Sequence, residues 1–235
     1  MELARTYRES LEVARRMRNI LLFFAAAHVI FLVFGEWTVA REFPYVMDLR
    51  EDQLRELREM VFLKPLSGPL AGNLPLMIAY TFFFNLVVGA FLSTTVVGGL
   101  LFFMPYVIAV WRGFIVGVLF HGIDGSPAVP VIFYGTFLLE FGAYTFSSVA
   151  GTDIGLSILM PSRKGADTRM EAFRRAWRDA RKLYFFVILF LALGAVWEMG
   201  LLHYLAPVTA PAESTVLEGG PGAAAGAGGA AGEAS

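Results

Sequence analysis

Two long apolar runs between Gly98 and Gly155 are separated by a short polar turn, and each carries an ionisable residue deep inside it. These residues are Arg112 in the first run and Glu140 in the second. A charged side chain at the centre of an apolar helix costs about 2.5–3.5 kcal/mol on the scale from insertion experiments. It is retained where it faces a protein interior, a wet cavity or a partner charge. The two runs therefore predict a helical hairpin embedded in a membrane.

The composition of the whole chain favours the same environment. Of its 235 residues, 57% are hydrophobic and 17% are charged, whereas a soluble domain carries about 25% charged residues. The chain has no cysteine, which excludes disulfide scaffolding, thiolate catalysis and cysteine-based metal sites. The net charge of −1 conceals a segregation of basic and acidic clusters beside different apolar runs. That segregation indicates membrane orientation and gives no support for nucleic-acid binding.

The pattern of apolar runs predicts an all-α integral membrane protein, a bundle of about five transmembrane helices with amphipathic surface helices beside it. The predicted spans are about 19–40, 73–92, 100–120, 129–149 and 183–205. The first run is long and lacks a small-residue cleavage site, so we expect a span there and not a cleaved signal peptide. A tight uncharged turn is expected over 93–99, and Pro105 is expected to kink the third span.

Basic clusters determine the expected orientation. Residues 1–18 are predicted to form a basic N-terminal helix, and residues 161–182 a basic inner loop with eight lysines and arginines. Cationic flanks remain in the cytoplasm, and four crossings after an inside N-terminus arrive on that side again. We therefore expect a multi-pass protein of the cell (plasma or inner) membrane with a cytoplasmic N-terminus.

The outer loop, residues 41–71, is predicted to contain an amphipathic helix. Its apolar residues Leu49, Leu54, Leu57 and Met60 recur at helical spacing among Glu and Arg. Such a helix is either a solvated connector that packs over the bundle or a docking site for an extracytoplasmic partner. The Ala/Gly-rich tail, residues 206–235, cannot bury enough apolar surface to order itself and is expected to be disordered.

Depth along the spans predicts a cluster of charges. Counting 1.5 Å per residue from the outer ends places Arg112, Glu140 and Glu198 within about one helical turn of each other. We therefore expect Arg112 to pair with Glu140, with Glu198 or with both. The pairing has two interpretations, an interhelical clamp and a proton or ion relay in a polar cavity.

Small and amide residues in the same spans predict helix packing. Gly113 and Gly117 stand at GxxxG spacing, which allows close contact between helices and permits a homo-oligomer. Asn73 and Asn85 are expected to make interhelical hydrogen bonds, worth about 0.6 kcal/mol each in membranes.

No motif in the sequence indicates an enzyme or a cofactor site. His28, His121 and His203 are too scattered for metal-ligand spacing. The phosphate-binding, serine-hydrolase and zinc-protease motifs do not occur. We therefore expect no catalytic residue, no metal and no cofactor.

The order of residues in the third and fourth predicted spans is similar to that of a known family. Arg112-Gly113-FIV-Gly117 is followed in the next span by Glu140-Phe141-Gly142-Ala143. This order resembles the stage II sporulation protein M family, whose members carry Asn-Gly-x-x-x-Gly and then His-Gly-x-x-Glu-Leu-x-Ala. Here arginine replaces the asparagine and the His-Gly pair is absent. The resemblance covers about 73–205.

The resemblance implies a polytopic prokaryotic membrane protein without enzymatic activity. The sporulation member of the family resembles a membrane anchor for a peptidoglycan-degrading complex. We therefore expect a scaffold in the lipid bilayer that recruits membrane or envelope protein partners and binds no nucleic acid. The alternative is a transporter or channel component, such as a permease-like subunit, that uses Arg112, Glu140 and Glu198.

Overall fold

A computed structural model describes residues 2–59, 64–70, 72–122 and 128–209, without the side chains of residues 57, 58, 67, 128, 129 and 205–209. Within these ranges every regular element is a helix and no strand occurs. The α-helices are α1 (Glu2–Arg16), α2 (Arg18–Ala40), α3 (Pro44–Glu59), α4 (Lys64–Ser67), α5 (Leu74–Phe84), α6 (Val97–Leu100), α7 (Met104–Phe120), α8 (Ala128–Leu159) and α9 (Arg169–Thr209). A π-helix (Asn85–Val96) joins α5 to α6, and a 3-10 turn (Pro161–Lys164) precedes α9.

Three of the described helices have the length and composition needed to cross a membrane. They are Arg18–Ala40, Leu74–Leu100 and the Arg169–Tyr204 part of α9, with mean hydropathies of 2.1, 1.9 and 2.3 in their most apolar windows. Helix α7 is apolar but shorter. The all-helical class expected from the sequence is confirmed, while the count of about five spans stays a prediction.

The boundary between the second and third predicted spans is wrong. Residues 93–99, expected as a turn, belong to one helical rod that runs from Leu74 to Leu100. The hydroxyls of Ser93 and Thr94, which suggested a turn, donate instead to the carbonyls of Gly89 and Ala90 one turn earlier. The chain reverses at residues 101–103.

Pro105 also has a different role from the one expected. It occupies the first turn of α7, where its missing N–H has no helical partner to lose. Its fixed φ starts the helix, so Pro105 produces no kink in the middle of a span.

The basic segment 161–182 is mostly helix and not a loop. After the 3-10 turn and Gly165, the chain enters α9 at Arg169 and stays helical to Thr209. Helix α3 occupies the predicted outer loop, but the side chain of Leu57 and all of Met60 lie outside the described residues. The first residues of the predicted disordered tail, 206–209, belong to α9, and the tail from residue 210 onward lies outside the described residues.

Helices α8 and α9 form the central antiparallel pair, and the other elements pack around it. Helix α2 packs along α7, α1 along the N-terminal half of α9, and the π-helix with α6 along α8. The core is centred on buried residues of α8 and α9, among them Val149, Leu183 and Val187. The bundle therefore holds the π-helix, α7, α8 and α9 close enough for their polar residues to meet.

Glycines set the distance between α2 and α7. A Cβ added at Gly113 would lie 2.7 Å from the carbonyl oxygen of His28, and one at Gly117 would collide with the carbonyl oxygen of Leu32. On the facing helix, a Cβ at Gly35 would meet the carbonyl oxygen of Phe114. The two backbones are therefore in direct contact, and the close packing predicted for Gly113 and Gly117 is found here.

Candidate functional site

Asn85 joins α5 and the π-helix to α8 through two side-chain hydrogen bonds. Its Nδ2 donates to Oε1 of Glu140 at 2.6 Å, and its Oδ1 accepts from the Tyr144 hydroxyl at 3.1 Å. Glu140 and Tyr144 are one helical turn apart, so they present their polar atoms on one face of α8. The interhelical bond expected of Asn85 is therefore present.

Arg112 reaches this group from α7 through the ring of Tyr144. Its guanidinium carbon lies 3.7 Å from the ring centroid, a cation–π contact. Its Nη2 approaches the Gly89 carbonyl at 3.5 Å and Ser93 Oγ at 3.4 Å, while the buried Nη1 has no hydrogen-bond partner in the described part of the chain. We call Asn85, Ser93, Arg112, Glu140 and Tyr144 the polar cluster.

The expected ion pair of Arg112 does not form. No described carboxylate oxygen lies within 4.0 Å of the Arg112 guanidinium. The connection to Glu140 runs through Tyr144 and Asn85 instead. Glu198 is on α9 one turn after Gly194, where an added Cβ would lie 3.8 Å from Cγ of Glu140. The structure thus brings the three predicted residues together without a direct salt bridge.

Two other predicted polar residues take local roles. Asn73 is exposed and caps α5, where its Oδ1 accepts from the N–H of Leu76 at 3.3 Å. It therefore makes no interhelical bond. His28 is 1% exposed, its Nδ1 lies 2.9 Å from the Phe24 carbonyl oxygen, and its ring packs on Phe141. Among the described residues, no group of three or more His, Asp or Glu side chains could hold a metal ion.

A buried hydroxyl row extends the polar cluster along α8, and sequence reasoning missed it. Ser147 Oγ lies 2.7 Å from Thr94 Oγ1, and the Ser147 carbonyl accepts from Thr95 Oγ1 at 3.1 Å. Thr95 Oγ1 also lies 2.8 Å from the hydroxyl of Tyr184 on α9. The signal was present in the sequence as hydroxyl and glycine residues at helical spacing after Glu140.

A buried ionic network lies further along α8, towards its C-terminal end, and it too was missed. Lys164 Nζ lies 2.7 Å from Asp153 Oδ2 and 2.8 Å from Asp179 Oδ2, which in turn is 2.6 Å from Arg16 Nη2. The side chains of Asp153, Lys164 and Asp179 are 7%, 12% and 17% exposed. The network joins α8 to the 3-10 turn, α9 and α1, which are distant in sequence, so no local pattern indicates it.

Beside this network, α1, the 3-10 turn and α9 enclose a cavity of about 660 Å³, which we call the basic cavity. Its lining holds seven basic side chains and one acidic one, so its field is strongly positive. The lining residues are Thr6, Arg16, Arg163, Lys164, Arg175, Arg178, Asp179, Arg181 and Lys182.

These observations define an all-helical protein with apolar helices of membrane length, internal polar contacts and a basic end. The model of one family, described as stage II sporulation protein M, matches residues 20–199. The chain belongs to this family, as its glycine and glutamate pattern indicated. No curated protein and no solved structure matches the chain.

Proposed function

We propose that this protein is a non-enzymatic scaffold of the cell membrane that recruits partner proteins through a charged surface at one end, with a second charged surface at the other end. The observation that supports this most is the position of those surfaces at opposite ends of α2. The basic cavity lies at the start of α2 and the acidic helix α3 follows its end. The 23 residues of α2 span about 35 Å, slightly more than the roughly 30 Å of a hydrocarbon core.

The charge distribution supports a multi-pass topology with the basic end in the cytoplasm. Lysine and arginine are retained on the cytoplasmic side of membrane helices. Since α1 and the start of α9 form the basic end together, the N-terminus lies with them in this arrangement. Helix α3 then lies on the outer face.

Helix α3 is suited to partner recruitment because one side is attached and the other is free. Arg50 Nη2 donates to the carbonyl of His121 at 2.6 Å, which fixes α3 over the end of α7. The exposed face carries five carboxylates and a described arginine, Arg55, which pairs with Asp52. The carboxylates are those of Asp48, Glu51, Asp52, Glu56 and Glu59. A basic segment of an extracytoplasmic protein is the partner that this face would attract.

A photo-crosslinking residue at Asp52 tests the recruitment surface. In native membranes we expect it to capture a partner protein, and the capture to disappear when Glu51 and Glu56 are both changed to lysine. The control is the same crosslinker at Val33, an exposed apolar residue of α2, which should capture lipid only. Identical protein adducts at both positions, or none at Asp52, would contradict recruitment by α3.

The polar cluster serves in this scaffold as an interhelical clamp. Its hydrogen bonds and cation–π contact connect the π-helix, α7 and α8. Asn85→Leu removes the partners of Glu140 and Tyr144 at once, so we expect it to lower the free energy of unfolding by about 1–3 kcal/mol.

Transport is the second candidate, since Arg112, Glu140 and Glu198 are ionisable groups inside the bundle, and such groups within a membrane protein mark ion and proton pathways. Liposomes that contain wild-type protein or Glu140→Gln separate the two functions. For a scaffold we expect proton and ion flux equal to that of empty liposomes with either protein. Flux that the wild type supports and Glu140→Gln abolishes would refute the scaffold and make Glu140 a relay.

A further inference from the structure

We propose that the basic end of the bundle is a binding site for an anionic phospholipid, with its phosphate in the basic cavity and an acyl chain in an apolar groove between α2 and α8. The site is separate from the acidic face of α3. It stands whether the protein is a scaffold or a transporter.

The basic cavity has free cations as well as paired ones. Arg163, Arg178 and Arg181 are exposed at its edge and make no ion pair with any carboxylate that the structure describes. A guanidinium presents a planar fork of N–H donors that matches two phosphate oxygens. Three such groups around one concave surface favour a phosphate over a single carboxylate.

The wall of the cavity is held in place by the protein itself. Arg175 Nη1 donates to the carbonyls of Lys164 and Gly165 at 2.8 and 3.0 Å, which ties the 3-10 turn to α9. Lys164 is fixed between Asp153 and Asp179. The free arginines are therefore mounted on a preorganised surface, which reduces the entropic cost of binding.

An apolar groove continues from this charged region along α2. A second cavity, of about 300 Å³, shares Arg16, Arg163 and Lys164 with the basic cavity and extends to Ile20. A groove of about 280 Å³ begins at the next residue, Leu21.

The groove is open to the surroundings and almost entirely apolar. On α2 it is lined by Leu21, Leu22, Ala25 and Val29, and it runs towards the middle of the helix. On the antiparallel α8 its lining reaches from Phe146 to Phe137, away from Asp153 and the basic end. The groove between α2 and α8 therefore begins beside the basic side chains that α1, the 3-10 turn and α9 carry at the same end of the bundle.

A basic cavity followed by an apolar groove fits an amphiphile with an anionic headgroup. Inorganic phosphate would fill only the basic cavity, and an acidic protein segment would leave the membrane-facing groove empty. Basic pockets between membrane helices on the cytoplasmic side bind the headgroups of anionic lipids. A phospholipid with a net negative charge fits both the basic cavity and the groove. A zwitterionic phospholipid would bring its own cationic group into the positive field of the basic cavity.

Native mass spectrometry of the full chain, with added phosphatidylglycerol or phosphatidylcholine, tests the headgroup site. We expect the wild type to retain phosphatidylglycerol selectively. The double variant Arg178→Gln/Arg181→Gln should bind it roughly 30-fold more weakly. Each basic side chain near an anionic lipid surface contributes about 1 kcal/mol, and the loss of two corresponds to that change in Kd. Arg41→Gln, an exposed arginine at the other end of α2, is the matched control and should bind as the wild type does.

The groove is tested with a pair of neighbouring substitutions. Ala25→Phe fills the groove, whereas Ala26→Phe adds the same volume to an exposed residue outside it. We expect only Ala25→Phe to weaken phosphatidylglycerol binding, with the thermal midpoint of the lipid-free protein unchanged in both.

Three outcomes would overturn the proposal. The first is equal retention of phosphatidylcholine. The second is unchanged binding in Arg178→Gln/Arg181→Gln. The third is stabilisation by inorganic phosphate that matches the lipid and is indifferent to Ala25→Phe, which would leave a site for free phosphate only.

Discussion

Gly117→Val is expected to lower the free energy of unfolding by at least about 3 kcal/mol, at the upper end of what overpacking costs. A Cβ at this position would collide with the carbonyl oxygen of Leu32 and lie 2.9 Å from the backbone nitrogen of Glu36. Backbone atoms of a facing helix cannot move aside as the end of a side chain can, so α2 and α7 must separate. Thermal unfolding in detergent, followed by the loss of monodisperse protein, measures the effect.

Gly200→Val is the matched control for this substitution. Gly200 is also in a helix, but a Cβ there has no heavy atom within 4 Å. We expect its thermal midpoint to stay at or above that of the wild type, since valine has a better helix propensity than glycine. Equal melting of the two variants would mean that α2 and α7 are not in backbone contact.

Lys164→Met is expected to have the other large effect, a loss of about 3–5 kcal/mol, which is typical when one partner of a buried ion pair is removed. Methionine keeps much of the side-chain volume but leaves Asp153 without its cation in a site where it is 7% exposed. Asp179 keeps Arg16, at 2.6 Å. The unfolding midpoint of the purified protein measures the loss.

A second substitution separates this explanation from a simple packing defect. Asp153→Asn removes the unpaired charge, so the double variant Lys164→Met/Asp153→Asn should recover part of the stability. Arg169→Met, an exposed cation at the start of α9, should change stability by about 0.5 kcal/mol or less. Failure of Asp153→Asn to restore any stability would show that the charge of Asp153 is not the cause.

The fold class could be predicted from the sequence because each apolar run extends over many residues. Runs of 20 residues with few charges leave little alternative to membrane-length helices. A close helix contact at Gly113 and Gly117 was predicted from their spacing, since a smooth helix face lets another helix approach. The spacing did not identify α2 as the partner. Both features depend on residue type and period, and not on exact boundaries.

Boundaries and partners could not be predicted in the same way. Residues 93–99 look like a turn because most of them are small and all are uncharged, and no local sequence pattern indicates a π-helix. Pro105 looks like a kink unless the helix is known to start there. Arg112 was expected to pair with a carboxylate, because counting residues along each span placed them at similar depths. That count does not show which side of a helix a residue faces, and the Arg112 guanidinium packs on the ring of Tyr144 instead. The ionic network of Lys164 joins four elements that are distant in sequence.

The winding of the π-helix determines how the side chains in its two halves are rotated relative to each other about the helix axis. Asn85 and Thr95 both contact α8, through Glu140 and the carbonyl of Ser147. In an α-helix of 3.6 residues per turn, two residues ten positions apart would point about 80° away from each other. A π-helix has more residues per turn than an α-helix, so the angle between Asn85 and Thr95 differs from that α-helical value over Asn85–Val96. A return of this segment to α-helical winding would rotate Asn85 relative to Thr95, so the two residues would not both keep their contacts with α8.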